Sequence, residues 1–155
     1  MDAVAIVIAK YFYLVVLALA AVYFFLQPGR IKKAMVICGV IIAPLAYLIA
    51  KSAGHFYDNA RPFVVGHFTP LIAHAADNGF PSDHVLLTAA VAMIVFFFNK
   101  KWSAVLFVLA ALIGWARVYS GIHHVTDVVG SIAIALLAGG VYRLLAKKFG
   151  WEVKG

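Results

Sequence analysis

Three short stretches of this 155-residue chain carry side chains whose types and spacing suit phosphoryl chemistry. The first pairs Lys51 with Arg61-Pro62. A guanidinium presents a planar fork of donors that matches phosphate or carboxylate oxygens, and a lysine adds a compact point charge on a long stem. Both suit an anionic ligand. Standing alone, the pair reads more simply as a lysine ending a membrane span and an arginine meeting lipid headgroups.

The second stretch is Pro81-Ser82-Asp83-His84, directly before an apolar run that begins at Val85. Ser82 is the expected N-cap and Asp83 belongs in the first turn, whose free N–H groups form an anion site. His84 at the same mouth suits proton donation to a leaving oxygen, since an unperturbed histidine titrates near pH ~6.5. A plain interfacial helix start with a histidine at headgroup depth fits the same tetrapeptide.

The third stretch runs from Arg117 to Asp127. A helix starting near Ile122 puts His123 and Asp127 on one face. An aspartate bonded to one ring nitrogen fixes the tautomer and leaves the other nitrogen free to attack, so His123 is the candidate nucleophile and Asp127 its orienting partner. Gly121 permits a tight turn that lets Arg117 approach the same pocket. His124 points about 100° away around such a helix and receives no role. A structural His–Asp bond is one alternative. A metal site is the other, but it needs three or four convergent ligands and the arginines would repel a cation. The expectation is no metal and no cofactor.

These stretches must be positioned by membrane-embedded elements. Apolar residues make up 65% of the chain and charged residues 12%, a balance that no soluble globule shows. The net charge of +7 is therefore read as a topology signal rather than a nucleic-acid footprint, which needs a broad wet basic face. Apolar runs at Val4–Leu26, Ala34–Ala50, Val85–Phe98, Ser103–Ala116 and Val128–Leu145 predict an all-α polytopic bundle of five spans, with short helical segments in the outer loop. The third and fourth runs fall short of the ~20 residues a span takes and must borrow their polar flanks. No period-2 alternation supports a barrel. With no linker or repeat, residues 1–155 read as a single domain, and Asp2 with the long run behind it argues against a cleaved signal peptide.

Outside the spans the basic residues form three groups: Arg30, Lys32 and Lys33; Lys100 and Lys101; Arg143, Lys147, Lys148 and Lys154. Five crossings put all three on one side, which the positive-inside rule makes cytoplasmic. The connections that hold the candidate residues then face outward together. Lys10 lies within the first span and is read as snorkelling, with a buried functional partner as the alternative. Cys38, the only cysteine, is read as packing.

In order and spacing the three stretches resemble the type 2 phosphatidic acid phosphatase (PAP2) family, whose pattern is a lysine before Arg-Pro, then Pro-Ser-Gly-His, then Arg-x5-His-x3-Asp. The last element is matched from Arg117 to Asp127 without a gap. The resemblance implies metal-independent hydrolysis through a phosphohistidine: His123 as nucleophile, Asp127 as its orienter, His84 as acid and then base. It also implies that Lys51, Arg61, Arg117 and the Ser82 turn hold the phosphoryl oxygens. There are three departures. Gly54 stands where the family lysine is expected, leaving Lys51 one helical turn earlier and His55 as a substitute; Ala116 replaces a serine; and Asp83 replaces a glycine. A carboxylate beside a phosphate is repulsive unless it binds a neighbouring arginine, orders Ser82 or takes a proton. The Pro-Ser-Asp-His variant is similar to the bacitracin-resistance subgroup of undecaprenyl diphosphate phosphatases. That resemblance implies a polyprenyl or phospholipid phosphate substrate and a plasma-membrane site on the extracytoplasmic side.

Overall fold

The computed structural model describes residues 1–151, so Lys154 lies outside the described residues. The elements in order are α1 (Asp2–Phe25), α2 (Gly29–Phe56), α3 (Pro62–Val65), α4 (Asp83–Phe96), α5 (Lys100–Tyr119) and α6 (Val125–Phe149). The Asn99 side chain accepts the backbone N–H groups of Lys101 and Trp102 at 3.0 and 3.1 Å, which starts α5 ahead of its apolar run. At the far end α5 takes in Arg117 and Tyr119, so the borrowing of polar flanks occurs as expected.

The third apolar run behaves differently. Among the described residues four helices are long and apolar enough to cross a bilayer, but α4 has 14 residues. At 1.5 Å per residue it rises about 21 Å, short of a hydrocarbon core of about 30 Å. Its surroundings explain why this is tolerated. Val85, Leu86, Thr88, Ala89, Ala92, Met93 and Val95 are buried, and α1, α2, α5 and α6 all pack against it. A helix apolar all round and enclosed by protein meets its length mismatch with neighbouring helices rather than with lipid.

Two packing clusters share α4. Ile42, Ala46, Ala89, Met93, Ala138 and Tyr142 join it to α2 and α6, with Cys38 fully buried among them. Val16, Val85, Val95, Leu106 and Ile113 join it to α1 and α5. Small residues bring the backbones close: a Cβ on Gly139 would stand 2.5 Å from the Met93 side chain. Leu14, Val40, Leu48, Val108, Leu136 and Leu144 point outward as a lipid-facing surface. Lys10 is exposed, with its ammonium 5.9 Å from the Tyr11 ring, consistent with snorkelling.

The ends of the bundle differ sharply. At one end the Tyr119 hydroxyl donates to Asp2 at 2.9 Å, joining the end of α5 to the start of α1. At the other, Tyr23 faces Trp102 and Phe97 faces Tyr142. Arg30, Lys32 and Lys33 open α2, Lys100 and Lys101 open α5, and Lys147 and Lys148 close α6, all at this second end. The connections 57–82 and 120–124 lie at the first.

Candidate active site

His123 occupies the turn between α5 and α6, where Gly121 at φ 75° reverses the chain. Helix α6 begins at Val125 with His124 as its N-cap, not near Ile122. The expected pairing of His123 with Asp127 therefore holds, but not as two residues on one helical face. Asp127 lies in the first turn and its Oδ2 reaches back to the His124 backbone N–H at 2.8 Å and to Nδ1 of His123 at 3.2 Å. First-turn N–H groups have no partner inside the helix, and a carboxylate at this position satisfies one in the manner of a capping box. His124 bonds the Ala60 carbonyl through Nε2 at 3.0 Å and so ties the turn to the preceding loop.

The tautomer of His123 follows from its neighbours. Its Nε2 lies 3.3 Å from Nη1 of Arg61 and 3.2 Å from Nη2 of Arg117. Guanidinium nitrogens only donate, so Nε2 is the acceptor and Nδ1 carries the proton that it gives to Asp127. Burial pushes the His123 pKa below the ordinary histidine value; the Asp127 bond opposes this, and the charges of Arg117 and Arg61 add to it. The ring is neutral at neutral pH, with its free lone pair turned toward two cations.

Those cations are held by very different partners. Arg61 precedes α3, donates to the Ile122 carbonyl through Nη1 at 2.8 Å and to Asp77 through Nε at 2.7 Å. That bond from Arg61 holds the Asp77 carboxyl below its usual range. Arg117 ends α5 and donates to the Ala9 carbonyl through Nη1 at 3.2 Å. Among the described residues its Nε is buried without a partner, as is the Ser82 hydroxyl. Unmet buried donors are costly, and an anionic ligand is the kind of partner that such donors can take.

Ser82 stands at the N-cap of α4 as expected, yet its hydroxyl makes no cap bond. Its backbone is engaged instead: the N–H donates to the Asp127 carbonyl at 3.4 Å, and the Ser131 hydroxyl donates to the Ser82 carbonyl at 3.0 Å. These bonds stitch the start of α4 to the start of α6. His84 follows in the first turn of α4, half-buried, with Tyr13 edge-on at 5.0 Å between ring centroids.

Lys51 and Asp83 do not join this buried group. Both are exposed and line a neighbouring cavity of about 350 Å³ together with Gly54, His55, Arg61 and Asp77. Asp83 has no ion-pair partner within 4.0 Å among the described residues, so it does not bind a neighbouring arginine. The displaced lysine has a steric explanation, because a Cβ at Gly54 would stand 2.9 Å from the Phe80 carbonyl oxygen. One turn earlier, Lys51 reaches the same cavity from a roomy face, with its ammonium 5.5 Å from the Tyr47 ring.

Sequence reasoning missed four residues of the connection 57–82. Asn59 donates to Oδ1 of Asp127 at 2.7 Å, Asp77 holds Arg61, and the His74 ring lies 6.3 Å from that of His123. Burial, then the charge of Arg61, lowers the His74 pKa. Asn78 accepts from the backbone of Asn59 and Phe80 and donates to the carbonyls of Gly54 and Tyr57, which folds the connection onto itself. The available signal was a cluster of Asx residues, Asp58, Asn59, Asp77 and Asn78, in an otherwise apolar chain. Among the described residues no group of three or more His, Cys, Asp and Glu side chains is placed to hold a metal ion.

A family model described as the PAP2 superfamily matches residues 33–151. The chain belongs to the PAP2 superfamily. Among PAP2 relatives, the putative undecaprenyl-diphosphatase YbjG of Escherichia coli is 34% identical over the whole chain and 76% of that protein. The bacitracin transport permease protein BcrC of Bacillus licheniformis is 34% identical over 79% of this chain, and the undecaprenyl-diphosphatase BcrC of Bacillus subtilis is 35% identical over 68%. The matched segments span 61% and 51% of those two proteins. The crystal structure of Aquifex aeolicus LpxE shares the fold, with a TM-score of 0.69 at 22% identity over 90% of this chain and 83% of that one. The transmembrane PAP2-type phosphatidylglycerolphosphate phosphatase of Bacillus subtilis matches with a TM-score of 0.60 at 26% identity, over 95% and 77%. With its long apolar helices, this PAP2 chain is a multi-pass membrane protein.

Proposed function

We propose that this chain hydrolyses the terminal phosphate of undecaprenyl diphosphate through a phosphohistidine at His123. The observation that carries the reading is the state of that ring: Nδ1–H committed to Asp127, and Nε2 unprotonated and held between two guanidiniums. Nε2 forms a bond to the terminal phosphorus as the bridging P–O bond breaks, and His84, made imidazolium by a proton taken up with the phosphate anion, passes that proton to the departing lipid monophosphate. Water then attacks the phosphorus and gives a proton to His84, and the N–P bond breaks to release inorganic phosphate. Arg61, Arg117 and the Ser82 hydroxyl hold the phosphoryl oxygens, so the negative charge that develops meets fixed donors without a metal.

The diphosphate assignment is supported by the relatives named undecaprenyl-diphosphatase and by the cavity beside Arg61, where Lys51 can meet a second phosphate. An apolar groove between α2 and α4, lined by Ala43, Ala46, Leu86, Leu87 and Ala90, continues from Lys51 and Asp83 and suits a polyprenyl tail. The grouping of the basic residues at the opposite end supports an extracytoplasmic site in the plasma membrane. Likeness to a phosphatidylglycerolphosphate phosphatase makes phospholipid monoesters the second reading.

Phosphate release from undecaprenyl diphosphate, phosphatidylglycerophosphate and phosphatidic acid by purified protein tests this, with His123→Ala and excess EDTA as controls. Expected are preference for the diphosphate, loss of essentially all turnover in the variant, and no effect of EDTA. Turnover that survives His123→Ala contradicts the mechanism. Preference for phosphatidylglycerophosphate shifts the substrate to the second reading.

A further inference from the structure

Residues 59–61 touch the catalytic turn at three places. Ala60 makes an isolated antiparallel bridge with Asn78, so the chain there is extended and the side chains of Asn59 and Arg61 leave on the same side. On that side Arg61 reaches Nε2 of His123, while Asn59 donates to Oδ1 of Asp127 at 2.7 Å and to the Thr126 hydroxyl at 3.2 Å. Between them the Ala60 carbonyl accepts from His124. The segment is itself pinned, since Asn78 accepts the Asn59 N–H at 3.0 Å and the Gly79 N–H donates to the Asn59 carbonyl at 2.9 Å.

We propose that Asn59 is a positioning residue that completes the His123–Asp127 pair, so that one three-residue segment grips the imidazole and its carboxylate from opposite ends. The inference rests on the phosphohistidine reading above. Each oxygen of Asp127 then has its own donors: Oδ2 takes His123 Nδ1 and the His124 N–H, and Oδ1 takes Asn59. The Asn59 amide does two things. It stops the carboxylate from rotating, and it draws charge away from the oxygen that faces the ring. A histidine facing a less compensated carboxylate binds its second proton more tightly. The other charged or titratable groups around His123 are Arg61 and His74 of the connection, Arg117 of α5 and His84 of α4, and none of them touches Oδ1 among the described contacts.

Two variants separate this from a merely structural role. Asn59→Ala removes the donor, and Asn59→Asp keeps the shape while replacing the amide with a carboxylate. Measured on full-length protein in detergent, Asn59→Ala is expected to lower kcat by roughly 10- to 100-fold, the loss of one charge-assisted hydrogen bond, with KM little changed. The titration of His123, followed by NMR of ring-15N histidine, is expected to move to higher pH in Asn59→Ala and further in Asn59→Asp. A fall in kcat with the titration unmoved in both variants overturns the proposal, as does an unchanged kcat. The NMR titration needs no turnover, so a wild-type protein that hydrolyses none of the lipids defeats the phosphohistidine reading by itself, whereas an unmoved His123 titration in an active enzyme defeats only the role of Asn59.

Discussion

The two polar regions at the site end of the bundle are built on opposite plans. Around His123 the key polar groups are buried and cross-bonded, with Arg61, Arg117, His123 and Asp127 all at or below 5% exposure. The Lys51–Asp83 cavity a few residues away is open, and neither side chain there makes a hydrogen bond among the described contacts. A site that must place one phosphorus against one nitrogen gains from rigidity, because a small misplacement of the reacting atoms is costly in rate. A site that accepts the rest of a lipid headgroup needs only charge and reach. Chemistry and substrate choice are therefore separable here, and substitutions in the two regions will split between kcat and KM.

The largest effect belongs to the buried region. Asp127→Asn keeps the shape but removes the acceptor that fixes the His123 tautomer, and kcat is expected to fall about 10³- to 10⁴-fold, as in other His–Asp pairs. Steady-state phosphate release checks this; a loss under tenfold would break the contrast between the two regions. Arg117→Lys should follow at roughly 100-fold in kcat, because a lysine's single nitrogen cannot stand both at the Ala9 carbonyl and beside Nε2 as the two guanidinium nitrogens do. In the open region Lys51→Ala should raise KM for a lipid diphosphate about tenfold and leave kcat within a few-fold, which initial rates across substrate concentrations will show. The smallest effect is in pH. His123 acts deprotonated and its pKa is lowered by burial, so kcat/KM should be retained as pH falls through about 6.5 and be lost only below it. A pH series on the wild type measures that limb.

Much of this was legible in the sequence because it depended on types and order. The Arg117 to Asp127 element, the convergence of three polar stretches at one end and the lipid-facing character of the long helices all follow from spacing and hydropathy. The start of α6 was misplaced because His123 and Asp127 at four-residue separation fit a helical face as well as a capped helix start, and only the backbone distinguishes them. The shortness of the third run was legible, but not its enclosure, because an apolar run does not say whether lipid or protein surrounds it. Asn59 and Asp77 act across the fold, on partners 68 and 16 residues away, which no local pattern encodes. Lys51 was visible as a departure, but its cause is the Phe80 carbonyl packed over Gly54.

The claim on which the rest depends is that phosphorus is transferred to Nε2 of His123. Rapid quench of the protein with undecaprenyl diphosphate labelled in its terminal phosphate, followed by mass spectrometry under alkaline conditions that preserve phosphohistidine, tests it directly. Label is expected on the peptide bearing His123, gained and lost during turnover and absent from His123→Ala. Label on another residue, or phosphate release from the His123→Ala protein at the wild-type rate, would contradict it.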